Sequence, residues 1–404
     1  MSTDSAGVSF ATDEETRLLL DSLDEFVAQE VEPIESDLGE TYANPRLRHE
    51  ADGRIVDEVL EAKETIRKKS AEAGFYAMNL PEEAGGEGVS AVTWYRAKRH
   101  LASHGPGLTD AVLAGPEGPK PLLAQAEGGQ VEKYLEPAVR GEKSTAFGQT
   151  EPGVGSDSPN MATTAEKDGD EWVLNGQKQW ITNAPYADFV QVFARTTPQS
   201  EAGRYGGITC FILEPDEFEL GSYNNAVGSV GNQAEILLDD VRIPADRVLG
   251  TVDEAFYEAM DFLSLGRLEL GAEAVGMTDF LIERGVEYAN DREAFGRSIG
   301  SFQGVSHKLA EARAQHFAAD AAGLRLAWQM DAGEDSIESS SIFKYFATNV
   351  FWQAADDVVQ VHGANGLSED NPFMDLLHAA RVLRVVEGTD EIQLNTIAGQ
   401  LGIE

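Results

Sequence analysis

The sequence predicts an α+β chain in three parts: an N-terminal α-helical domain over 1–143, a middle antiparallel β domain over 144–252 and a C-terminal four-helix bundle over 253–404. Three observations carry this reading. Apolar residues recur at helical spacing up to about residue 143, at strand-like spacing from 144 to 250, and at helical spacing again from Asp253. The central stretch is a series of short β-like runs divided by Gly, Asn, Asp and Pro, with Asn175-Gly176 as a hairpin signal. The last third offers long helix-forming stretches in succession, and such helices pack as antiparallel neighbours.

Taken in order, Thr12-Asp-Glu-Glu15 reads as a capping box. Leu19, Leu23, Phe26, Val27 and Val31 then give the first helix one apolar face, and Pro33 closes it. Helices are expected over 55–73 and 91–103, with a Gly-rich loop over 80–88 between them and a short helix near 130–139. Strands are expected at 171–174, 179–182, 189–193, 208–213, 234–238 and 241–244. Helices return over 255–290, 302–330, 339–362, 373–386 and 390–401.

Bulk properties exclude several classes. The 404 residues are 42% hydrophobic, enough for a large core. No apolar run approaches the roughly 18 residues of a membrane span. Met1-Ser-Thr-Asp-Ser5 lacks the basic and apolar regions of a secretory signal. A single cysteine, Cys210, rules out an internal disulfide and a Cys-based metal site, and suits a reducing cytoplasm. Seven histidines are scattered, so no metal cluster is expected. Seventy acidic against 31 basic residues give a net charge of −39, which makes nucleic acid and anionic membranes poor partners. Such self-repulsion is screened in molar salt, where the Debye length is about 3 Å, so the charge fits a halophile's cytoplasm, the alternative being an acidic surface that meets a basic partner.

Three short motifs are absent: there is no Gly-x-Gly-x-x-Gly, no Walker loop and no His-Glu-x-x-His. Four segments still carry chemistry. Phe147-Gly-Gln-Thr-Glu-Pro-Gly-Val-Gly-Ser-Asp157 offers backbone N–H groups and hydroxyls to a polar ligand. In Gln179-Trp-Ile-Thr-Asn183, Trp180 and Thr182 stand at strand positions i and i+2, so both can address one planar ligand. Arg292-Glu-Ala-Phe-Gly-Arg-Ser-Ile-Gly-Ser-Phe-Gln303 places an Arg, suited to a pyrophosphate, between two helices. Finally, Arg381-Val-Leu-Arg-Val-Val-Glu387-Gly-Thr closes an apolar run on a carboxylate. Burial there raises its pKa and makes it a general base.

These segments, with Gln360-Val-His-Gly-Ala-Asn-Gly366, resemble in order and spacing the acyl-CoA dehydrogenases, flavoenzymes that oxidise acyl thioesters to 2-enoyl thioesters. The resemblance covers nearly the whole chain. It implies FAD as cofactor, an electron-transfer flavoprotein as acceptor and a homotetramer or dimer. It places Glu387 on the catalytic base of the short- and medium-chain type. The alternative base position of the family falls on Gly266, before Arg267, and a glycine cannot serve. Phe147, Gln149 and Thr150 fall on flavin-ring contacts, with Trp180 beside the ring and Thr182 bonding its N5. Arg292, Phe295, Gln303, Gln360 and Gly363 fall on contacts to the ADP half, made from a neighbouring subunit, and Thr389 and Glu391 on a rim against the cofactor. Ser156, Ser264, Arg267 and Gly388 fall on the thioester and CoA side.

The chain departs from the family pattern at Leu377-His378, where an Arg-Asp pair is frequent, and at Ser264, Ala364 and Val386, where Asp, Gly and Tyr are. Arg381 to Arg384 with Asp390-Glu391 is similar to members fused to kinase-like domains. Rival readings are an acyl-CoA oxidase or other flavin oxidase, a flavin-binding member without dehydrogenase turnover, and a purely structural oligomer.

Overall fold

The computed structural model describes residues 11–224 and 232–403. The opening Met1–Ser5 segment, read above for the absence of a signal, lies outside the described residues. Contacts divide the chain into two compact units. One comprises Met1–Pro33, Val89–Asp110 and Ser264–Glu404; the other comprises Ile34–Gly88 and Ala111–Leu263. Residues 1–143 thus contribute to both.

The first unit is helical. Its first helix, Glu14–Phe26, is capped by Asp13, not Thr12: the Asp13 carboxylate accepts from Thr16 N at 2.7 Å. Leu23, Phe26, Val27 and Val31 are buried as their spacing predicts. Pro33 does not end the helical path. A π-turn, Val27–Val31, precedes it and a further helix, Glu32–Leu38, contains it. Widening the turn removes the clash between a proline ring and the carbonyl four residues back.

The core of this unit is built by the helices Leu263–Asp291, Gln303–Asp331, Ile337–His362 and Phe373–Leu383, joined by Ala91–Ala102, with Asp390–Gln400 packed on Ile337–His362. Leu268, Val275, Leu281, Leu326, Phe343, Phe351 and Val358 fill it. Two helices approach closely at Gly271, where an added Cβ would lie 2.1 Å from the Phe343 ring. Asp331 caps Ala91–Ala102, accepting from Ala91 N at 2.6 Å and Val92 N at 3.1 Å. The expected helix over 255–290 is broken at Phe262, and the one expected over 373–386 stops at Leu383.

The second unit holds an eight-stranded sheet of β1 Thr145–Gly148, β2 Thr164–Asp168, β3 Glu171–Thr182, β4 Phe189–Arg195, β5 Ile208–Leu213, β6 Glu219–Tyr223, β7 Gln233–Pro244 and β8 Val248–Leu249. The order is β6-β7-β3-β2-β4-β5-β8, with β1 on β4. The sheet is mixed rather than purely antiparallel. β1 runs parallel to β4, pairing Thr145 with Phe189, and β2 touches β4 in parallel at Thr164 and Arg195. The β2–β3 hairpin lies between β1 and β4 in sequence and supplies the long connection that parallel pairing needs.

Asn175-Gly176 is not the turn. The two expected strands on either side of it are one strand, β3, and the tight turn is Gly169-Asp170. Asn175 instead spans to β7: its Nδ2 donates to Asp240 Oδ1 at 3.1 Å and its Oδ1 accepts from Asp240 N at 2.8 Å. Gly176 sits at a bulge beside Thr163, whose Oγ1 an added Cβ would meet at 2.5 Å. Cys210 is buried in β5 with a free thiol, as expected. No helix among the described residues is long and apolar enough to cross a membrane.

Candidate active site

In the helical unit the turn between Phe373–Leu383 and Asp390–Gln400 presents Glu387. Its backbone has φ 52°, and Gly388 follows at φ 87°. The left-handed region suits Gly388 but costs a side-chain-bearing residue on the order of 1 kcal/mol or more, so something must hold it. Gln393, fully buried, donates Nε2 to Glu387 O at 3.0 Å and Gly388 O at 2.9 Å. Lys344, also fully buried, donates Nζ to Gly388 O at 2.7 Å. Arg384 closes the turn through Asp390, Nε to Oδ2 at 2.7 Å, and its carbonyl accepts from Asp390 N at 3.2 Å. Thr389 caps the following helix, its hydroxyl accepting from Ile392 N at 3.3 Å. The N–H groups of Glu387 and Gly388 have no partner among the described residues.

Glu387 is exposed, against the burial expected from its apolar run. The run leaves the helix at Leu383, and Val385 and Val386 turn out with it, 49% and 36% exposed. The carboxylate lies over Gly266: a Cβ there would stand 3.3 Å from Glu387 Oε2. Glycine at 266 therefore leaves room for the carboxylate as well as lacking a base of its own. The next residue, Arg267, is 3% exposed, with NH1 on Ser341 Oγ at 2.8 Å and Ser340 Oγ at 3.3 Å. Ser264 joins this cluster through Ser340 at 3.3 Å. Burial pushes the Arg267 guanidinium down to about 10, and the Glu387 charge works the other way. Arg267 Nε is buried and unpartnered. Burial likewise pushes Lys344 down to about 8.

At the far end of the helix Leu263–Asp291, about 37 Å along its axis from Gly266, stand Arg292, Phe295, Gln303, Gln360 and Gly363. All five are exposed. Phe295 tips a two-stranded hairpin, 95% exposed at φ 55°. Gly363 ends the helix Ile337–His362 at φ 59°. Tyr288 ties the two regions together: it stacks on His362 at 4.2 Å and its hydroxyl accepts from Asn365 Nδ2 at 3.2 Å.

In the sheet unit, Trp180 is 48% exposed at φ 62°, inside a register shift of the β3–β7 ladder. The simple i, i+2 argument for Trp180 and Thr182 thus does not apply across this bulge. Both nonetheless lie off the buried face that Ile181 occupies. Thr182 Oγ1 accepts from Gln233 Nε2 at 3.3 Å. Thr150 O accepts from Gln179 N at 2.9 Å, while its hydroxyl has no partner among the described residues. Phe147 packs on Phe193 with ring centroids 4.8 Å apart, and Ser156 is exposed.

Beneath this loop lies an ion pair, Lys178 Nζ to Glu151 Oε1 at 2.8 Å, with side chains 0% and 4% exposed. Lys178 also donates to Gln149 O at 3.3 Å, and Glu151 accepts from Ala162 N at 2.6 Å and Thr163 N at 3.0 Å. Sequence reasoning passed over Lys178, Glu151, Lys344 and Gln393. The signal for Lys344 was a lone cation within Ser341-Ile-Phe-Lys-Tyr-Phe-Ala347 on an otherwise apolar helix face.

The sheet unit thus presents an exposed indole near the unpartnered Thr150 hydroxyl, and the helical unit a held carboxylate with unpartnered N–H groups. Residues 13–142, 146–241 and 255–402 match, in that order, the N-terminal, middle and C-terminal domains of acyl-CoA dehydrogenase, and the chain belongs to that family. FAD is the family's cofactor. The chain is 34% identical over 382 residues to the 3-(aryl)acrylate reductase of Clostridium sporogenes, covering 93% of this chain and 96% of that one. It is 32% identical over 355 residues to the caffeyl-CoA reductase-Etf complex subunit CarC of Acetobacterium woodii, covering 86% and 93%. The butyryl-CoA dehydrogenase structure from Megasphaera elsdenii superposes with a TM-score of 0.81 at 27% identity, covering 97% and 99%.

The turn geometry makes one prediction directly. Gln393→Leu removes both bonds that hold the Glu387 and Gly388 carbonyls, each worth about 0.5–1.5 kcal/mol net. Turnover is expected to fall about tenfold or more with FAD content unchanged, measured by steady-state kinetics and flavin absorbance. Unaltered turnover would show that Gln393 does not position the base.

Proposed function

We propose that the chain oxidises an acyl-CoA thioester to the trans-2-enoyl-CoA, with Glu387 as the base for the α proton and an electron-transfer flavoprotein as acceptor. The observation that carries this is the Glu387 turn: a carboxylate fixed in a left-handed conformation over Gly266, with the adjoining N–H groups unpartnered. The α C–H of a thioester is a weak acid, so developing charge on the carbonyl oxygen needs donors. The unpartnered Glu387 N–H would be one, and such donors are typically worth about 3–4 kcal/mol each. Glu387 then takes the α proton. FAD, when bound, supplies the two-electron acceptor for the β hydride at N5. Trp180, Thr182, Phe147, Gln149 and Thr150 would hold its ring side, with Thr389 and Glu391 at the rim. Ser156, Ser264, Arg267 and Gly388 would face the CoA thioester.

Arg292, Phe295, Gln303, Gln360 and Gly363 are too far along the helix from Glu387 to serve the same cofactor within one chain. Their exposure supports a homotetramer or dimer in which they grip a neighbour's FAD through its ADP half. The name of CarC supports an electron-transfer flavoprotein as partner. Two relatives named as reductases favour a second reading, in which Glu387 returns a proton to the α carbon of an enoyl thioester whose β carbon takes the hydride that reduced FAD would supply. Incubating the holoenzyme with acyl-CoA in heavy water tests the base: Glu387-dependent α exchange is expected, and its absence counts against the proposal. Peroxide release without an added acceptor would instead identify an oxidase.

The net charge of −39 and the buried free Cys210 support a cytoplasmic enzyme of a halophile. Folding is then expected to fail at low ionic strength and recover in molar KCl, followed by circular dichroism. Full stability at very low salt contradicts this part of the proposal.

A further inference from the structure

Away from the active-site turn, the fold gathers three metal-ligating side chains from distant parts of the sequence. His100 stands in the last turn of the helix Ala91–Ala102, and His104 in the turn that follows it, His104 N donating to Leu101 O at 3.2 Å. The rings stand edge to face with centroids 5.5 Å apart. Asp24, on the helix Glu14–Phe26, meets both. One carboxylate oxygen, Oδ1, is 2.6 Å from His100 Nε2 and 3.0 Å from His104 Nε2. The three ligand atoms all lie within 4.8 Å of one another. The side chains are 26%, 31% and 48% exposed for His100, His104 and Asp24, so the cluster opens to solution.

The two Asp24–histidine distances match neighbouring atoms of a coordination shell. With metal–nitrogen and metal–oxygen bonds of about 2.0–2.2 Å, neighbouring ligand atoms stand roughly 3 Å apart. Two imidazoles and a carboxylate suit borderline transition cations, whereas Mg2+ and Ca2+ favour all-oxygen shells. We propose that Asp24, His100 and His104 bind one divalent transition cation of the Zn2+, Ni2+ or Cu2+ kind, with water in the remaining positions, and that the ion cross-links Glu14–Phe26 to Ala91–Ala102. The ion touches none of the residues assigned to FAD or thioester. It binds a geometry that only the folded chain provides, so its effect is on stability, by mass action.

The test uses the FAD-loaded, tag-free protein titrated with Cu2+ in excess Mg2+, which saturates sites made of carboxylates alone. One equivalent is expected to bind, with an electron paramagnetic resonance spectrum showing coupling to imidazole nitrogen. Zn2+ in the same buffer is expected to raise the unfolding temperature. Loss of a second-shell group alone costs metal sites about 10–100-fold in affinity, so His104→Gln, which removes a ligand, is expected to cost at least as much and to remove a nitrogen from the spectrum. Asp24→Asn serves as the second variant, and both should keep wild-type FAD content and turnover. Binding of unchanged affinity and spectrum in both variants, or no stoichiometric binding in the wild type, overturns the proposal.

Discussion

Glu387→Gln is expected to retain FAD and to lose reduction of the flavin by acyl-CoA, by about 10²–10⁴-fold if the carboxylate acts as general base. The substitution keeps the size of the side chain and leaves the bonds to Gln393 and Lys344 untouched, because those are made to backbone carbonyls. The turn should therefore persist, and the loss should be chemical. Rapid anaerobic mixing, read at the flavin absorbance, separates this from weakened binding: the rate at saturating thioester falls, while the concentration for half-saturation moves little. A variant that reduces its flavin at near wild-type rate places the base elsewhere.

The second large effect is on stability. Lys178→Met leaves Glu151 buried without its cation, and removing one partner of a buried pair typically costs about 3–5 kcal/mol. The expected loss is read from denaturant unfolding in high salt. The double variant Glu151→Gln with Lys178→Met should recover part of it, because no lone charge then remains. The pair also sets a pH dependence. Burial works to raise the Glu151 carboxyl, but the Lys178 charge and the Thr163 and Ala162 groups overcome it and hold the carboxyl below its ordinary range. A depressed carboxyl stabilises the fold above its unfolded value near 4.5. It gives up that stability as pH falls through the lower folded value. The acid limb of wild-type stability should accordingly shrink in the double variant. Since Lys178 also holds the Gln149 carbonyl, Lys178→Met should loosen FAD as well.

Much of the architecture was legible because periodicity reports burial on one face. β5 has the expected bounds, and the buried faces of the first helix and of the long bundle helices fall where the apolar residues recur. What escaped was decided by contacts remote in sequence. Asn175-Gly176 has the chemistry of a turn, yet Asp240 on another strand takes the asparagine amide and the chain runs straight on. Pro33 should stop a helix, yet a π-turn absorbs it. β1 could not be seen as parallel, because nothing local marks the direction of its neighbour.

At the site, the carboxylate was legible but its setting was not. An apolar run ending in Glu387 suggested burial; the structure instead holds Glu387 exposed and in a left-handed turn. The restraint comes from Lys344 and Gln393, which read in sequence as a lone helix cation and a polar helix residue. His100 and His104 seemed scattered because the group that unites them, Asp24, lies on the first helix.

The measurement that bears most directly on the whole account is anaerobic mixing of the FAD-loaded wild type with a panel of straight-chain, branched and aryl acyl-CoAs, with product analysis after quenching. At least one thioester should bleach the flavin and yield one equivalent of trans-2-enoyl-CoA per FAD reduced. A fully loaded enzyme that no member of the panel bleaches, or bleaching without enoyl product, would contradict it.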